Sequence, residues 1–563
     1  MRGLRGWLRI LAVLVILVAI ATAVVFPEAA VRGLQLPLLA IFSTTRMVVA
    51  YLLSLVFAIA YGYTAATNKR ASVIMLPVLD ILQSVPILGF FPPALLFFVA
   101  AFQGHPLGIE FAVVFLIFTS MSWNMAFGVY ESLSTIPVDL EAAAASFGLR
   151  GWLRFRLLAF PAAIPKLVYN SILSWSNGWF FLIASETFTA FGQTYTRPGL
   201  GSFIANAGLS NDTAGIALGI GVLAAVVLAL DTIVWRPLSV WSERFRMETT
   251  TGREVSRPPG LYERFRWLPR FPRMRQTFLA AVRPIGEAYH RASVRLDRVY
   301  SSHRRVVREI RLLDLALFLV ILFLVVSAGI LGLVKLFFGP LPADAGTIPV
   351  AAVSSFLRLA AAYGIALAWT IPVAAWIGRN PRSSRFVTPI LEVFASLPAT
   401  ALLPVIVGFA LFLVSSAGAA GELAAILIVL FSMQWYLLFN LIAGVRGIPG
   451  DLDDVARSFG LRGATYWRRV LLPAMVPSLL TGSITAWGAG WNALIVSEYI
   501  PFLPGPPRLN GLGYLMDVAT FLSHDNTMLL LTILAMIAVV LSLNKLVWRP
   551  LLKRASAKYR LEI

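Results

Sequence analysis

The stretch IPVDLEAAAASFGLRGWLRFRLLAFPAAIP, residues 136–165, lies between long apolar segments and returns as IPGDLDDVARSFGLRGATYWRRVLLPAMVP at residues 448–477. The hexapeptide Ser-Phe-Gly-Leu-Arg-Gly is identical in the two copies. We expect each copy to form a short helix, an elbow and a second short helix. In the first copy, Pro137 has a preset φ suited to a helix start, and Gly148 can turn left-handed because it lacks a Cβ. A polar loop repeated within an apolar chain indicates an internal duplication.

The composition is that of a membrane protein. The 563 residues are 58% hydrophobic and only 13% charged, about half the charged fraction that a soluble domain needs. Cysteine is absent, and the four histidines are scattered without the spacing of a metal site. The chain also lacks a Gly-x-x-x-x-Gly-Lys-[Ser/Thr] phosphate-binding loop. We therefore predict no catalytic residues, no bound metal, no cofactor and no ATPase activity in this chain.

The net charge of +20 is concentrated in one segment. Eighteen arginines, against seven acidic residues, lie between Arg236 and Arg311. Basic segments between membrane spans stay in the cytoplasm and are attracted to anionic lipid headgroups. The distribution therefore predicts contact with membrane lipids and not with nucleic acid.

Six apolar segments in the first half are each long enough to cross about 30 Å of hydrocarbon. We interpret the first as a span and not as a signal peptide, because no convincing cleavage site follows it. The third contains Pro86, Pro92 and Pro93, so we expect it to be kinked or discontinuous there. The predicted spans are at 9–26, 44–64, 71–101, 108–129, 162–186 and 214–235.

The second half repeats the first at an offset of 312 residues, which becomes 313 near the end. Two copies in the same direction predict an all-α polytopic membrane protein of two tandem parallel six-helix repeats, about 12 transmembrane helices in all. We place the first half at 1–240, a cytoplasmic Arg-rich linker at 241–310 and the second half at 311–563. With an even number of spans in each half, both termini are expected in the cytoplasm.

The repeated loops, at 136–161 and 448–473, resemble the "EAA" loops of permeases in binding-protein-dependent ABC importers. The family pattern is Glu-Ala-Ala, three residues, Gly, and later an apolar-Leu-Pro ending. The second copy matches it with Asp454-Val455-Ala456, Gly460 and Leu471-Leu472-Pro473. The first copy has Ala142 at the acidic position and Glu141 one place earlier.

The resemblance implies a type I importer fold and a docking role for the loops. Two ATP-binding-cassette ATPase subunits, which bind the ATP and Mg²⁺, would dock on the loops, and an extracytoplasmic binding protein would deliver the solute. The location implied is the plasma (inner) membrane of a prokaryote. Segments 175–207 and 487–519 look like those of nitrate, sulfonate and taurine permeases, which suggests a small anion. The residues expected at the ATPase contact are Glu141, Ala142, Ala143, Gly148, Asp453, Asp454, Ala456 and Gly460.

Paired polar residues within the spans are candidates for the translocation pathway. Arg46 and Arg358 stand at the predicted outer starts of equivalent spans, where they would attract an anion or extend to lipid headgroups. Of the paired acids, Asp80 and Glu392 would brace the helix breaks. Glu186 and Glu498 would cap a helix, bond a neighbouring helix or contact the substrate. The other pathway candidates, for each of which helix packing is the alternative, are Ser84, Ser396, Trp123, Trp435, Trp179, Trp491 and Asn492.

Other functions stay open at this point. A fused permease for ferric ion or another solute would share these loops. An ion-coupled secondary transporter would share the parallel repeat but has no ATPase to dock. A membrane enzyme or a structural membrane protein is a third possibility, which the missing catalytic cluster disfavours.

Overall fold

The computed structural model describes residues 35–84, 86–87, 91–149, 151–190, 193–245, 341–448, 450–498 and 509–558. The predicted first span at 9–26 and nearly all of the predicted linker lie outside these described residues. Within them the chain is almost entirely helical, and the helices of the second half follow the same order as those of the first. The predicted all-α polytopic fold with two tandem repeats is confirmed.

The helices are numbered in chain order, so that a helix of the first half and its equivalent in the second half differ by ten. In the first half they are α1 Leu36–Thr67, α2 Lys69–Ser84, α3 Phe91–Ala101, α4 Pro106–Ser134, α5 Val138–Ser146, α6 Gly151–Arg154, α7 Phe160–Glu186, α8 Leu200–Leu209, α9 Thr213–Leu230 and α10 Arg236–Ser242. In the second half they are α11 Ile348–Arg379, α12 Pro381–Ser396, α13 Leu403–Leu413, α14 Ala417–Arg446, α15 Gly450–Ser458, α16 Gly463–Tyr466, α17 Leu472–Glu498, α18 Leu512–Asp517, α19 Asn526–Leu543 and α20 Arg549–Lys558.

Eight helical segments among the described residues are long and apolar enough to cross a membrane. Each has 29 to 37 residues, so at a rise of 1.5 Å per residue each is longer than the hydrocarbon layer of about 30 Å. They are Leu36–Thr67, Pro106–Ser134, Gly151–Glu186 and Thr213–Phe245 in the first half, and Ala343–Arg379, Ala417–Arg446, Gly463–Glu498 and Asn526–Ala555 in the second.

The third predicted span is discontinuous in both halves, as its prolines predict. Helix α2 ends at Ser84 and α3 begins at Phe91, while α12 ends at Ser396 and α13 begins at Leu403. Pro86 and Pro398 lack the N–H that would continue a helical hydrogen-bond ladder. Two short helices therefore replace one crossing in each half.

Each half is built around one central helix, and the two halves contact each other through their broken helices. Helix α4 packs against both α1 and α7, and α14 packs against both α11 and α17. The broken helices cross to the opposite half, where α12 packs on α9, α13 on α8, and α2 on α19. The breaks therefore lie at the junction between the halves.

The change of offset from 312 to 313 has a structural counterpart. The first half runs from Gly199 through α8 to the helix-capping Asp212, while the second half needs one more residue from Gly511 to the capping Asp525. The extra residue lies in a π-helical turn at Val518–Leu522, which follows α18 and has no counterpart in α8. A π turn holds one additional residue without interrupting the helix.

A small antiparallel hairpin is an addition to the predicted all-α fold. Strand β1, Thr187–Ala190, pairs with β2, Gln193–Thr196, directly after α7. The corresponding segment of the second half, 499–508, lies outside the described residues.

Candidate functional site

The two elbows have the backbone geometry that their glycines predict. Gly148 and Gly460 both have φ of +68°, in the left-handed region that a side chain disfavours. In the first elbow the N–H of Leu149 donates to the carbonyl of Ala144 at 2.9 Å, and Leu461 donates to Ala456 at the same distance. These bonds close the C-termini of α5 and α15, so both helices end in the same turn.

Each elbow exposes an aromatic ring. The Phe of the identical hexapeptide is 81% exposed at Phe147 and 77% exposed at Phe459. Val138 and Val455, also on the short helices, are 81% and 50% exposed. Apolar side chains this exposed on a polar loop are typical of a surface that a partner covers.

The acids on the two elbows have different surroundings. In the first, Arg154 donates to both carboxylate oxygens of Glu141, at 2.6 and 2.9 Å. In the second, position 466 is a tyrosine, and the exposed Asp454 forms no ion pair or hydrogen bond with the residues that the structure describes. The two loops therefore present different charges to a partner.

The other residues expected at the ATPase contact divide between surface and interior. Ala142, Ala143, Gly148 and Gly460 are exposed. Ala456 is only 2% exposed and packs within its own half, so its position does not fit a docking contact. The side chain of Asp453 lies outside the described part of the chain.

At the opposite end of the spans, Arg46 forms a buried charge cluster and does not face an opening. Its guanidinium donates to both carboxylate oxygens of Glu110 at 2.7 and 2.8 Å, to Glu186 at 2.8 Å and to the carbonyl of Pro198 at 2.9 Å. Glu186, fully buried, also accepts from the hydroxyl of Ser43 at 2.6 Å. This cluster joins α1, α4 and α7.

The same residues hold the start of α8. The second carboxylate oxygen of Glu186 accepts from the N–H of Gly201 at 2.7 Å, and Ser43 accepts from the N–H of Leu200 at 2.9 Å. A Cβ on Gly199 would lie 2.2 Å from the Glu186 carboxylate, so glycine is needed there for space. The carboxylate therefore satisfies N–H groups at a helix start, where a negative charge is stabilised.

The second half contains an equivalent cluster. Arg358 donates to Glu422 at 2.6 Å and to Glu498 at 2.8 Å, and Glu498 accepts from Ser355 at 2.6 Å and from Gly513 at 2.7 Å. Arg46 and Arg358 are 8% and 5% exposed. Neither arginine therefore has the exposed position that attraction of an anion or contact with headgroups requires. The sequence predicted both at the starts of their spans, whereas each lies well inside its helix, α1 from Leu36 or α11 from Ile348, and each is paired with two carboxylates that the sequence did not reveal.

Two of the tryptophan candidates, Trp179 and Trp491, are packed inside the halves, and the other two, Trp123 and Trp435, are partly buried. Trp179 and Trp491 are 0% and 2% exposed. The indole N–H groups of Trp123, Trp435 and Trp179 are buried and have no hydrogen-bond partner among the described residues. Because an indole N–H only donates, an acceptor brought to these positions would complete their bonding.

The remaining candidates bond within the protein or lie outside the described part. Ser396 donates to the carbonyl of Val393 in its own helix at 2.6 Å. Glu392 lies 4.0 Å from Arg236 of the first half, with half of its side chain exposed, so it contacts the other half instead of bracing its own break. The side chains of Ser84 and Asp80 lie outside the described residues.

Asn492 connects the two halves at the first break. Its side-chain oxygen accepts from the N–H of Ile87 at 2.7 Å, and Ile87 packs in the core of the second half. In the reciprocal position, the Thr400 hydroxyl donates to the carbonyl of Phe180 at 3.1 Å, and Ala401 packs in the core of the first half. Phe180 and Asn492 are equivalent positions, so each half holds the other's break at the same depth of α7 or α17.

Sequence reasoning overlooked several of these residues. Three pairs of them are related by the offset of 312: Glu110 and Glu422, Ser43 and Ser355, and Phe147 and Phe459. The same offset identifies all three pairs, but only the structure shows that the first two pairs meet in the charge clusters and that the third is exposed.

Comparisons with known proteins agree with this architecture. The model of the family described as "Binding-protein-dependent transport system inner membrane component" matches residues 54–235 and 366–548. An alignment over 34% of this chain shows 31% identity to the nitrate import permease protein NrtB of Leptolyngbya laminosa. A second alignment, also over 34% of this chain, shows 28% identity to the taurine transport system permease protein TauC of Escherichia coli. Over 26% of the chain, it is 29% identical to the bicarbonate transport system permease protein CmpB of Synechococcus elongatus.

These alignments span 64%, 65% and 50% of the three relatives' own lengths. The family match is broader, since its two copies together cover more than half of this chain and include both elbows, both breaks and most of each set of spans. The chain therefore belongs to the binding-protein-dependent transport system inner membrane component family, as a multi-pass transport protein that carries the family's domain twice.

Proposed function

We propose that this chain, which carries both permease halves, is a membrane-spanning component of an ATP-driven importer for a small anion. Two separate ATPase subunits dock on the elbow loops, 136–161 and 448–473, and an extracytoplasmic binding protein delivers the solute to the opposite face. The pathway runs between the two halves. The elbows lie in the cytoplasm, with both termini, and the membrane is the plasma (inner) membrane of a prokaryote.

The observation that carries this proposal is the pair of matching elbows. Both end a short helix in a left-handed glycine, and both expose the same phenylalanine at equivalent positions. Two surfaces with the same glycine turn and the same exposed ring, one on each half, suit two copies of one partner or two related partners. A secondary transporter has no partner for which two such surfaces are required.

Energy would pass from the elbows to the pathway through continuous helices. Each elbow leads through a π turn directly into α7 or α17, and these helices hold the break of the opposite half at Phe180 and Asn492. If an elbow is displaced, the displacement would pass along α7 or α17 to the junction between the halves. The charge clusters at the other ends of α7 and α17 would keep each half rigid while this happens.

An anion is favoured by the donors within the spans. The buried indole N–H groups of Trp123 and Trp435 occupy equivalent positions and lack partners among the described residues. Such donors would stabilise an oxyanion and cannot coordinate a metal cation. They support nitrate, sulfonate, taurine or bicarbonate as substrate classes, in line with the relatives, over ferric ion. We assign Arg46 and Arg358 a positioning role, since their guanidinium groups already bind carboxylates.

Uptake measurements test the proposal. The tagged chain is purified from its native membrane with its partners, the partners are identified by mass spectrometry, and the complex is reconstituted into vesicles. We expect two ATPase subunits per chain and ATP-dependent uptake of at least one of labelled nitrate, taurine, bicarbonate or an alkylsulfonate. Uptake driven by an ion gradient without ATP, or uptake of ferric ion alone, would contradict the proposal.

A further inference from the structure

An open cavity of about 420 Å³ lies where the second elbow joins its span. Arg379 is the last residue of α11, and Trp467 begins the π turn that leads from the elbow into α17. The cavity is therefore at a span boundary, at the same end of the molecule as the elbow loops. Its lining residues are Ala375, Trp376, Arg379, Asn380, Trp467 and Leu471.

The first half differs at the positions that form this cavity. Tyr63 stands where the second half has Ala375, and its ring packs edge-on against Phe155 with 5.0 Å between ring centres. Thr67 stands where the second half has Arg379. A ring thus occupies the first half where a methyl group leaves room in the second, and the first half has an uncharged residue at the position of Arg379.

The charge in the cavity is oriented by a neighbouring ring. The guanidinium carbon of Arg379 lies 4.4 Å from the ring centre of Tyr466, and Tyr466 is itself buried. A guanidinium stacked on an aromatic face is held in one plane, and its planar array of N–H donors suits a phosphate group. Arg379 as a whole is exposed, so a ligand at the membrane boundary can reach it.

The indoles favour a lipid over a soluble anion. Trp376 is 52% exposed, and with Trp467 it lines the cavity beside the arginine. Tryptophan at a span boundary packs against the region between the headgroups and the acyl chains, and basic pockets between spans bind anionic headgroups. A favourable interaction of Arg379 with the C-terminus of α11 would explain the charge but not two indoles around a cavity.

We propose that this cavity binds one anionic phospholipid, with its phosphate on Arg379 and its glycerol and upper acyl region against Trp376 and Trp467. The bound lipid would bridge the end of α11 and the π turn after the second elbow. The first half lacks this site, so the lipid would support only one of the two elbows. The binding claim requires only the span boundary and holds whether or not the elbows dock ATPases.

Native mass spectrometry of the purified full chain tests the site directly. The protein is titrated with phosphatidylglycerol and, separately, with phosphatidylcholine of the same acyl chains. We expect one phosphatidylglycerol to bind more tightly than any phosphatidylcholine. Arg379→Thr, which introduces the residue of the first half, should weaken that first binding step roughly ten-fold, the effect of losing one charge-assisted hydrogen bond. Arg379→Lys, which keeps the charge but not the planar donors, should bind phosphatidylglycerol with an affinity between those of the wild type and Arg379→Thr.

The matched control is Arg382→Gln. Arg382 is exposed, lies three residues from Arg379 and has an arginine counterpart in the first half, so this variant should bind phosphatidylglycerol as the wild type does. Equal weakening by Arg382→Gln and Arg379→Thr would show a diffuse basic surface and overturn the proposal. So would displacement of the lipid by millimolar inorganic phosphate, which would indicate a site for a soluble anion. If Arg379→Thr does not elute as a folded protein, Arg379→Lys with Trp376→Leu provides the comparison.

Discussion

Replacement of Glu186 by glutamine tests the assignment of the buried charge cluster. The fully buried carboxylate accepts three hydrogen bonds, from Ser43 at 2.6 Å, Arg46 at 2.8 Å and the N–H of Gly201 at 2.7 Å. Glutamine keeps the shape but has one oxygen and one NH₂ group, so at least one buried donor must face another donor. It also removes the charge that partners Arg46.

The magnitude follows from burial. Breaking a buried ion pair by removing one partner costs about 3–5 kcal/mol, and both side chains here are at most 9% exposed. Arg46 keeps its bonds to Glu110, which places the expected loss near the lower end of that range, at about 3 kcal/mol. Glu498→Gln should have the same effect, because Glu498 accepts its three hydrogen bonds at 2.6, 2.8 and 2.7 Å, the same distances as those at Glu186.

The assay is equilibrium unfolding of the purified protein in mixed micelles, followed by tryptophan fluorescence. Glu110→Gln is the matched control, since its side chain is 31% exposed and water can replace part of what is lost. Losses below about 1 kcal/mol for Glu186→Gln, or equal losses for both variants, would refute the argument. In a double-mutant cycle, Arg46→Gln should make the effect of Glu186→Gln smaller.

Other substitutions test the elbows and one partly buried acid. A Cβ at Gly148 or Gly460 would meet no atom within 4 Å, but valine there must adopt a φ of +68°, so we expect folded protein with ATP hydrolysis uncoupled from uptake; full coupling in both variants would contradict the elbow role. Asp454→Ala should reduce coupling more than Glu141→Ala, because Glu141 already binds Arg154 within the chain; equal effects would remove the proposed asymmetry. Burial raises the pKa of Asp517 to about 7, so ionisation opposes folding and stability falls as the pH rises from about 4 to about 7. Asp517→Asn should therefore unfold at higher denaturant than the wild type at pH 8 and match it at pH 4, whereas a lower midpoint at pH 8 would show that the charge is needed.

The repeat, the helix breaks and the elbows could be predicted because each depends on local residues. Proline removes an N–H wherever it stands, and glycine adopts a positive φ without help from distant contacts. The offset of 312 related the two halves before any fold was known. These features do not depend on how the spans pack.

The charge clusters could not be predicted in the same way. Arg46 and Glu110 are 64 residues apart, and Arg46 and Glu186 are 140 residues apart. Their contact depends on how α1, α4 and α7 pack, which apolar composition does not specify. An arginine near the end of an isolated span is equally suited to lipid headgroups, and only the opposing carboxylates decide the matter. The roles of Asn492 and Phe180, which occupy equivalent positions, could not be predicted for a similar reason. Each accepts a hydrogen bond from the opposite half, Asn492 from Ile87 and Phe180 from Thr400.

Cysteine cross-linking tests the central claim that each elbow docks an ATPase. The chain has no cysteine, so Phe147→Cys and Phe459→Cys each introduce a single thiol at an exposed position. Membranes of the native host are treated with a short bifunctional reagent that joins thiols to amines, and adducts of the tagged chain are identified by mass spectrometry. Ser210→Cys, an exposed position before α9 at the opposite end of the spans, is the control. Both elbow variants should form an adduct with an ATP-binding-cassette subunit while the control does not; absence of that adduct from either elbow would contradict the account.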